Sequence, residues 1–242
     1  MPGLLSDGND LLVMVPTRGR RAQCERLLES FTGTATCADL AFILDPDDQD
    51  TYEGMDWGPA AAGVLEPRAY LTGKLNKTAE AMAGLYKVLM WTGDDHVFRT
   101  PGWDQIMLDT LAGMGGSGWV YPDDKRRNDV PEIWMCSSDV VTELGWFANP
   151  ALAHYYIDNS VAEIGKRSGL IRYCPQAVIE HLHYSVSPDT EHDAVYRETE
   201  TAFGAADHQA YLQWRAEVLP YEVARVRRRF SGEISWVLSR VA

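Results

Sequence analysis

The segment from Tyr86 to His96 constrains the fold more than any other part of the sequence. It is an apolar run of strand length that ends abruptly in Gly93, Asp94, Asp95 and His96. Apolar runs of this length with helix-like sequence on both sides are typical of buried strands in a parallel sheet. Open α/β sheets bind their ligands at the carboxyl ends of such strands. The segment therefore predicts an α/β sheet with two carboxylates and an imidazole at its ligand-binding edge.

Carboxylate and imidazole groups at that edge are suited to a divalent cation that would neutralise a phosphate-bearing substrate. Oxygen ligands favour Mg²⁺ or Mn²⁺. An acidic turn that caps the next helix explains the same residues, so this segment alone leaves both interpretations open.

Strands and helices alternate along the first half of the chain. Apolar strands at 11–15 and 40–44 end at Pro16 and Asp45, and a shorter strand at 64–65 precedes a proline. The spacing of apolar residues predicts helices over 20–31, from about residue 72 to 86, and over 102–112. This order predicts a Rossmann-like, mostly parallel sheet flanked by helices.

The second half is less regular and ends in helical sequence. Strands are expected at 119–121, 132–136, 170–173 and 177–179, and helices at 139–147 and 160–168. The tail from Asp207 contains two further helices, split by Pro220 and Gly232. We therefore expect a catalytic domain over 1–206, with a nucleotide-binding half (about 1–115) and an acceptor half (about 116–206). A helical C-terminal extension over 207–242 follows it.

Composition limits the class of protein. The 242 residues can bury one large core. The net charge of −13, from 22 basic and 35 acidic residues, argues against broad binding to nucleic acid, which needs a basic surface. Local basic patches remain at 125–127 and 225–229, and most such runs are solvated surfaces.

Several features favour a cytoplasmic location. No run of 18 apolar residues is present, so we expect no membrane span. The first ten residues lack the basic and apolar regions of a signal peptide. The four cysteines are scattered without metal-type spacing, which indicates reduced thiols rather than a disulfide framework.

Five short motifs, in order over roughly residues 11–185, resemble those of GT-A-fold glycosyltransferases of the family-2-like sort found in bacteriophages. The strand and loop at 15–20 resemble the opening segment that meets the nucleotide, and Asp45 ends the strand where the family recognises the nucleobase. The 93–96 turn resembles the DxD element, which holds a metal and the sugar-nucleotide diphosphate. The segment at 156–159 resembles the acidic motif that supplies a catalytic base, and 180–183 resembles a late metal-binding histidine segment.

The resemblance implies a metal-dependent, inverting glycosyltransferase that uses a nucleotide-sugar donor with Mn²⁺ or Mg²⁺. It implies Asp158 as the catalytic base. A metal site would be formed by Asp95, His96, His181 and His183. The donor would be bound by Thr17, Arg18, Asp45, Arg68, Lys74, Asn76 and Asp94.

Some of these roles have plain alternatives. The family usually has an aspartate where His96 stands, and histidine suits Mn²⁺ or Zn²⁺ better than Mg²⁺. Asp158 precedes a predicted helix and is equally explained as its N-cap. Asn76, in the first turn of a predicted helix, is equally explained by bonding to nearby backbone. His181 and His183 alternate along a strand-like segment and so share a face, which favours a shared site, but two solvent-facing histidines at the end of a strand would show the same pattern.

Two other classes of function fit the same features. A nucleotidyltransferase would also use paired acids, but it would more naturally carry a lysine-rich glycine loop, and the sequence has none. A catalytically inactive nucleotide- or carbohydrate-binding module would retain the fold alone. The sequence is compatible with a modified DNA base, a protein or a glycan as the acceptor.

Overall fold

The computed structural model describes residues 8–183 and 194–230. Its strands are β1 (Leu11–Pro16), β2 (Ala38–Leu44), β3 (Ala61–Val64), β4 (Val88–Trp91), β5 (His96–Phe98), β6 (Trp119–Asp123), β7 (Trp134–Ser137) and β8 (Ile171–His181). Its α-helices are α1 (Arg21–Thr34), α2 (Leu71–Met82), α3 (Trp103–Ala112), α4 (Ser138–Leu144), α5 (Ile157–Ser168), α6 (Ala194–Glu217) and α7 (Leu219–Phe230). A short 3-10 helix covers Gln49–Tyr52.

The strands form one sheet in the order β3-β2-β1-β4-β7-β6-β8-β5. The first four of these are mutually parallel, β7 runs antiparallel to both of its neighbours, and β5 runs antiparallel to β8. The predicted α/β sheet flanked by helices is confirmed. The parallel pairing is continuous only in the first half of the sheet, and the second half is mixed.

Strand β1 lies at the centre of the core because its whole apolar run is covered on both faces. Leu11 through Val15 are all fully buried. Leu12 and Met14 belong to one apolar cluster, and Leu11, Val13 and Val15 belong to the other. Successive strand side chains point to opposite faces, so a run without polar residues needs helices on both sides of the sheet.

Three secondary-structure elements differ from those predicted from the sequence, and all three carry candidate site residues. Strand β5 was not expected. It has only three residues, and the first of them, His96, belongs to the predicted turn. One strand, β8, replaces two expected short strands, and it accommodates a register shift opposite Pro122 and Asp123. Helix α5 begins at Ile157 with Tyr156 as its N-cap, so the interpretation of Asp158 as the N-cap is wrong.

The C-terminal helix α7 packs against α4, α5 and α6. The expected boundary after residue 206 falls inside α6, which continues to Glu217. Pro220 lies in the first turn of α7, where proline is tolerated, and the helix break is at Val218. Glu222 of α7 accepts hydrogen bonds from the indoles of Trp146 and Trp214. The expected break at Gly232 lies outside the described residues.

The helices of the described part of the chain include none with the length and hydropathy of a bilayer span.

Asp207 ties α6 to the loop that precedes α5. Its buried carboxylate accepts hydrogen bonds from the backbone N–H groups of Ala153, His154 and Tyr155, at 2.8–2.9 Å. The same loop is joined to α2, since the N–H of Thr72 donates to the carbonyl of Ala153. Helix α6 is therefore joined by hydrogen bonds to the loop before α5, and through that loop to α2.

We expect Asp207→Ala to lower the free energy of unfolding by about 2–4 kcal/mol, because it leaves backbone donors buried without acceptors. Denaturant titration measures this loss. The matched control is Glu217→Ala, an exposed acid at the end of the same helix, which should change stability little. Equal losses in the two variants would contradict a structural role for the three hydrogen bonds.

Candidate active site

A cleft of about 400 Å³ opens at the carboxyl ends of β1, β2 and β4. It lies where parallel sheets bind ligands, at the point where the sheet changes from parallel to antiparallel pairing. The described residues that line it include Thr17, Arg18, Arg20, Asp45, Arg68, Tyr70, Lys74, Trp91, Asp94, Asp95, His96, Arg126, Glu132, His154, Tyr155, Tyr156, Asp158, His181, His183, Thr199 and Glu200. Every candidate site residue from the sequence except Asn76 is among them.

Asp94 is buried and holds the loop after β1. It accepts hydrogen bonds from Thr17 Oγ1 at 2.7 Å and from Arg20 Nη1 at 3.1 Å. Burial raises the pKa of Asp94 to about 6, and Arg20 opposes that rise. Sequence reasoning did not single out Arg20, because an arginine in a loop carries no sign of a partner 74 positions away.

Asp95 lies between two imidazoles. Its Oδ1 is 3.0 Å from Nδ1 of His96, and its Oδ2 is 3.3 Å from Nε2 of His181. Burial opposes the charge on Asp95, but the two histidines outweigh it and hold the pKa of this carboxyl well below its usual value. The turn needs a glycine at position 93, since a Cβ there would stand 2.6 Å from Oδ1 of Asp95.

The register of β5 on β8 brings the two histidines together. His96 is the strand partner of His181, and their rings stack with centroids 4.1 Å apart. His183 continues the row, with its ring centroid 5.2 Å from that of His181. Burial, followed by the nearby charge of Arg126, lowers the pKa of His183 to about 4. The 94–96 turn and the 181–183 segment therefore converge on one side of the cleft.

The chemistry of these groups fits a divalent metal ion. Asp95, His96 and His181 each offer a ligand atom, and the three atoms lie within 4.8 Å of one another. Nε2 of His96 is buried and has no hydrogen-bond partner among the described residues. A carboxylate with two imidazoles suits Mn²⁺ or Zn²⁺ better than Mg²⁺.

Glu132 orients His181. Its Oε2 is 2.8 Å from Nδ1 of His181 and accepts a 2.7 Å hydrogen bond from Arg126 Nη1. Burial disfavours charge on His181, but its bonds to Asp95 and Glu132 raise its pKa to about 9. A carboxylate on the outer nitrogen of a metal-binding histidine is a common arrangement that fixes the ring and raises its basicity. Nothing in the local sequence around Glu132 indicated this role.

The opposite end of the cleft is cationic. Asp45 forms its floor and is 3.2 Å from Arg18 Nη1, 2.9 Å from Lys74 Nζ and 3.9 Å from Arg68 Nε. Arg18 also pairs with Asp47 at 2.7 Å. The carboxylate of Asp45 is almost inaccessible, so it acts mainly by holding three cations at the cleft wall.

Asp158 lies in the first turn of α5 and faces the cleft. Its Oδ1 accepts a hydrogen bond from the N–H of Asn159. Burial raises the pKa of Asp158 to about 6. Tyr156, at the N-cap, has a left-handed φ of 63°, and it stacks on His208 and Tyr211 of α6.

Asn76 lies away from the cleft, and this geometry corrects its expected role at the nucleotide. Its side-chain oxygen accepts hydrogen bonds from the N–H groups of Phe147 and Ala148, and its Nδ2 donates to the carbonyl of Ala148. With both ends of the amide engaged, Asn76 fixes the segment after α4.

No family model matches the chain, and no curated protein matches its sequence. Solved structures do match its fold. One is glucosyl-3-phosphoglycerate synthase from Mycobacterium tuberculosis with Mn²⁺, UDP and phosphoglyceric acid (TM-score 0.60, 13% identity, 87% of this chain and 80% of that chain). Another is the mannosyltransferase PcManGT from Pyrobaculum calidifontis with GDP-Man and Mn²⁺ (TM-score 0.57, 13% identity, 90% and 73%). A third is TarS of S. aureus (TM-score 0.54, 10% identity, 92% and 43%).

These neighbours are GT-A-type glycosyltransferases, and their similarity shows that the chain has the GT-A fold. The expected GT-A fold is thereby confirmed. The expected bacteriophage type and the cytoplasmic location stay predictions.

We expect Glu132→Gln to weaken Mn²⁺ binding by about 10- to 100-fold, as is typical when the outer partner of a histidine ligand is lost. Isothermal titration with Mn²⁺ alone measures this without any assay of activity. Glu180→Gln is the matched control, because Glu180 adjoins His181 but pairs with Arg99 instead. The same weakening in both variants would mean that Mn²⁺ affinity depends on net charge and not on the contact between Glu132 and His181.

Proposed function

We propose that this protein is a metal-dependent glycosyltransferase that moves a sugar from a nucleotide-sugar donor to an acceptor hydroxyl. The observation that carries the proposal is the pairing of two groups in one GT-A cleft. A carboxylate with two imidazoles lies on one side, and a cluster of Arg18, Arg68 and Lys74 lies on the other. The ligands bound in the structural neighbours, UDP or GDP-Man with Mn²⁺ or Mg²⁺, agree with this chemistry.

The donor occupies the cationic end. Arg18, Arg68 and Lys74 counter the diphosphate, and Asp45 keeps these side chains at the cleft wall. Thr17 and Asp94 hold the loop after β1 against the acidic turn, where the nucleoside meets the protein. This assignment rests on the ion pairs within the cleft and on the position of the β1 and β2 strand ends.

Asp95, His96 and His181 would hold the metal ion, with His183 beside them. A divalent ion at that position would stabilise the negative charge that grows on the departing diphosphate. Glu132 keeps Nε2 of His181 directed at Asp95, and Gly93 leaves room for the carboxylate of Asp95 in the turn.

Asp158 would act as the general base and make the reaction inverting. Its raised pKa makes it a better proton acceptor than an exposed aspartate while it remains ionised at neutral pH. Glu132 contributes to the rise in this pKa, and Arg127 opposes it.

A screen of nucleotide sugars with Mn²⁺ tests the proposal. Hydrolysis by the wild-type protein should release free sugar and nucleoside diphosphate, and Asp95→Asn should abolish it. Release of nucleoside monophosphate and sugar 1-phosphate would favour a nucleotidyltransferase instead. Ligand binding seen as a raised melting temperature, without any turnover, would favour an inactive binding module.

We expect Asp158→Asn to lower kcat by roughly 10²- to 10⁴-fold, the usual contribution of a general base. Donor affinity should change little, since Asp158 lies away from the cationic end. In the wild-type protein the rate should fall as the pH drops through about 6, because protonation removes the base. Steady-state kinetics across pH measures both effects. Near-normal turnover in the variant, or a product with retained anomeric configuration, would rule out this role.

A further inference from the structure

The imidazole of His154 lines the cleft, and it forms no hydrogen bond within the described part of the chain. Its ring meets the ring of Tyr155 edge-on, with centroids 4.9 Å apart. The backbone around it is fixed, because the N–H of His154 donates to Asp207 at 2.9 Å and the carbonyl of Ala153 accepts from the N–H of Thr72. The loop is therefore held by its backbone, and the imidazole is available to a ligand.

The position of His154 is intermediate between three parts of the cleft. The charge of Arg20, which pairs with Asp94 at 3.1 Å, is close enough to affect the imidazole. The loop is bonded to the first turn of α2, and α2 carries Lys74 of the cationic end. Asp158 follows His154 by four residues, in the first turn of α5. A sugar that joins a diphosphate at the cationic end to an acceptor at Asp158 must occupy this interval.

The imidazole is neutral at the pH where the enzyme would work. Burial lowers the pKa of His154 to about 4, the nearby charge of Asp207 opposes this fall, and the charge of Arg20 adds to it. One nitrogen of a neutral imidazole donates a hydrogen bond and the other accepts one. A sugar hydroxyl also donates and accepts, whereas a phosphate oxygen at neutral pH mainly accepts. The ring is therefore better suited to a hydroxyl than to the diphosphate.

We propose that His154 is a specificity-determining residue that forms a hydrogen bond with one ring hydroxyl of the donor sugar. This inference rests on the proposed function and assigns a residue to recognition of the sugar itself. The metal site and the cationic end bind groups that all nucleotide sugars share, so they cannot distinguish one sugar from another. A polar contact can, because a sugar that lacks the hydroxyl leaves a buried polar group of the protein without a partner.

The test compares the donor with its monodeoxy analogues. With Mn²⁺ and the nucleotide sugar found by the hydrolysis screen, kcat/KM for hydrolysis is measured for the parent and for the analogue that lacks each ring hydroxyl in turn. We expect the wild-type protein to hydrolyse one analogue roughly tenfold less efficiently, because one hydrogen bond is lost. In His154→Phe this penalty should vanish, while the penalties at the other positions persist. Comparison of the two proteins cancels the intrinsic reactivity of each analogue.

Three further variants separate this contact from a change of structure. His154→Ala adds no volume and should abolish the same penalty, which guards against a misfit of the larger phenylalanine ring. His154→Gln keeps a donor and an acceptor and should retain part of the penalty. His208→Phe is the matched control, since His208 is exposed, lies outside the cleft lining and can keep its stacking on Tyr156 as a phenylalanine. It should show the penalties of the wild-type protein.

The outcomes distinguish this inference from the function on which it rests. Unchanged penalties in His154→Phe and His154→Ala overturn the role of His154, and so does loss of the same penalty in His208→Phe. In those cases the wild-type protein still hydrolyses its donor, so the proposed function stands. If the wild-type protein hydrolyses no nucleotide sugar, the proposed function fails and the role of His154 fails with it.

Discussion

The candidate site depends on the antiparallel register that sets His96 opposite His181. These residues are 85 positions apart, and three backbone pairs of β5 with β8 bring their rings into contact. Side chains alternate between the faces of a strand, so a slip of one residue would turn one imidazole away from Asp95. The contact of Glu132 with His181 and the lowered pKa of Asp95 both depend on this pairing.

The two acids of the turn have separate tasks because they lie in different surroundings. Asp94 contacts a hydroxyl and an arginine of the β1 loop, and its pKa rises with burial. Asp95, one residue later, contacts two imidazoles and remains ionised. One carboxylate thus joins the turn to the loop after β1, while the other is available to a cation.

The sequence predicted the parts of this protein whose signal is local. The apolar run of β1 and the strand-end positions of Asp45 and Asp94 followed from periodicity and from the geometry of parallel sheets. Strand β5 could not be predicted, because three residues after a turn carry no periodicity. Arg20 and Glu132 were missed because their importance comes from partners distant in sequence. Asn76 was assigned to the nucleotide because a polar residue at a helix start looks the same whether it binds a ligand or backbone.

The three hydrogen bonds to Asp207 have a consequence for how the protein opens. The amide protons of residues 153–155 are all bonded to one carboxylate on α6, so they exchange with solvent when the contact between this loop and α6 opens. Local openings of this kind expose contiguous cooperative units. Detachment of α6 would free all three amides and remove Thr199 and Glu200 from the cleft in the same event. The rate of amide exchange in this loop therefore reports how often this wall of the cleft opens and re-forms.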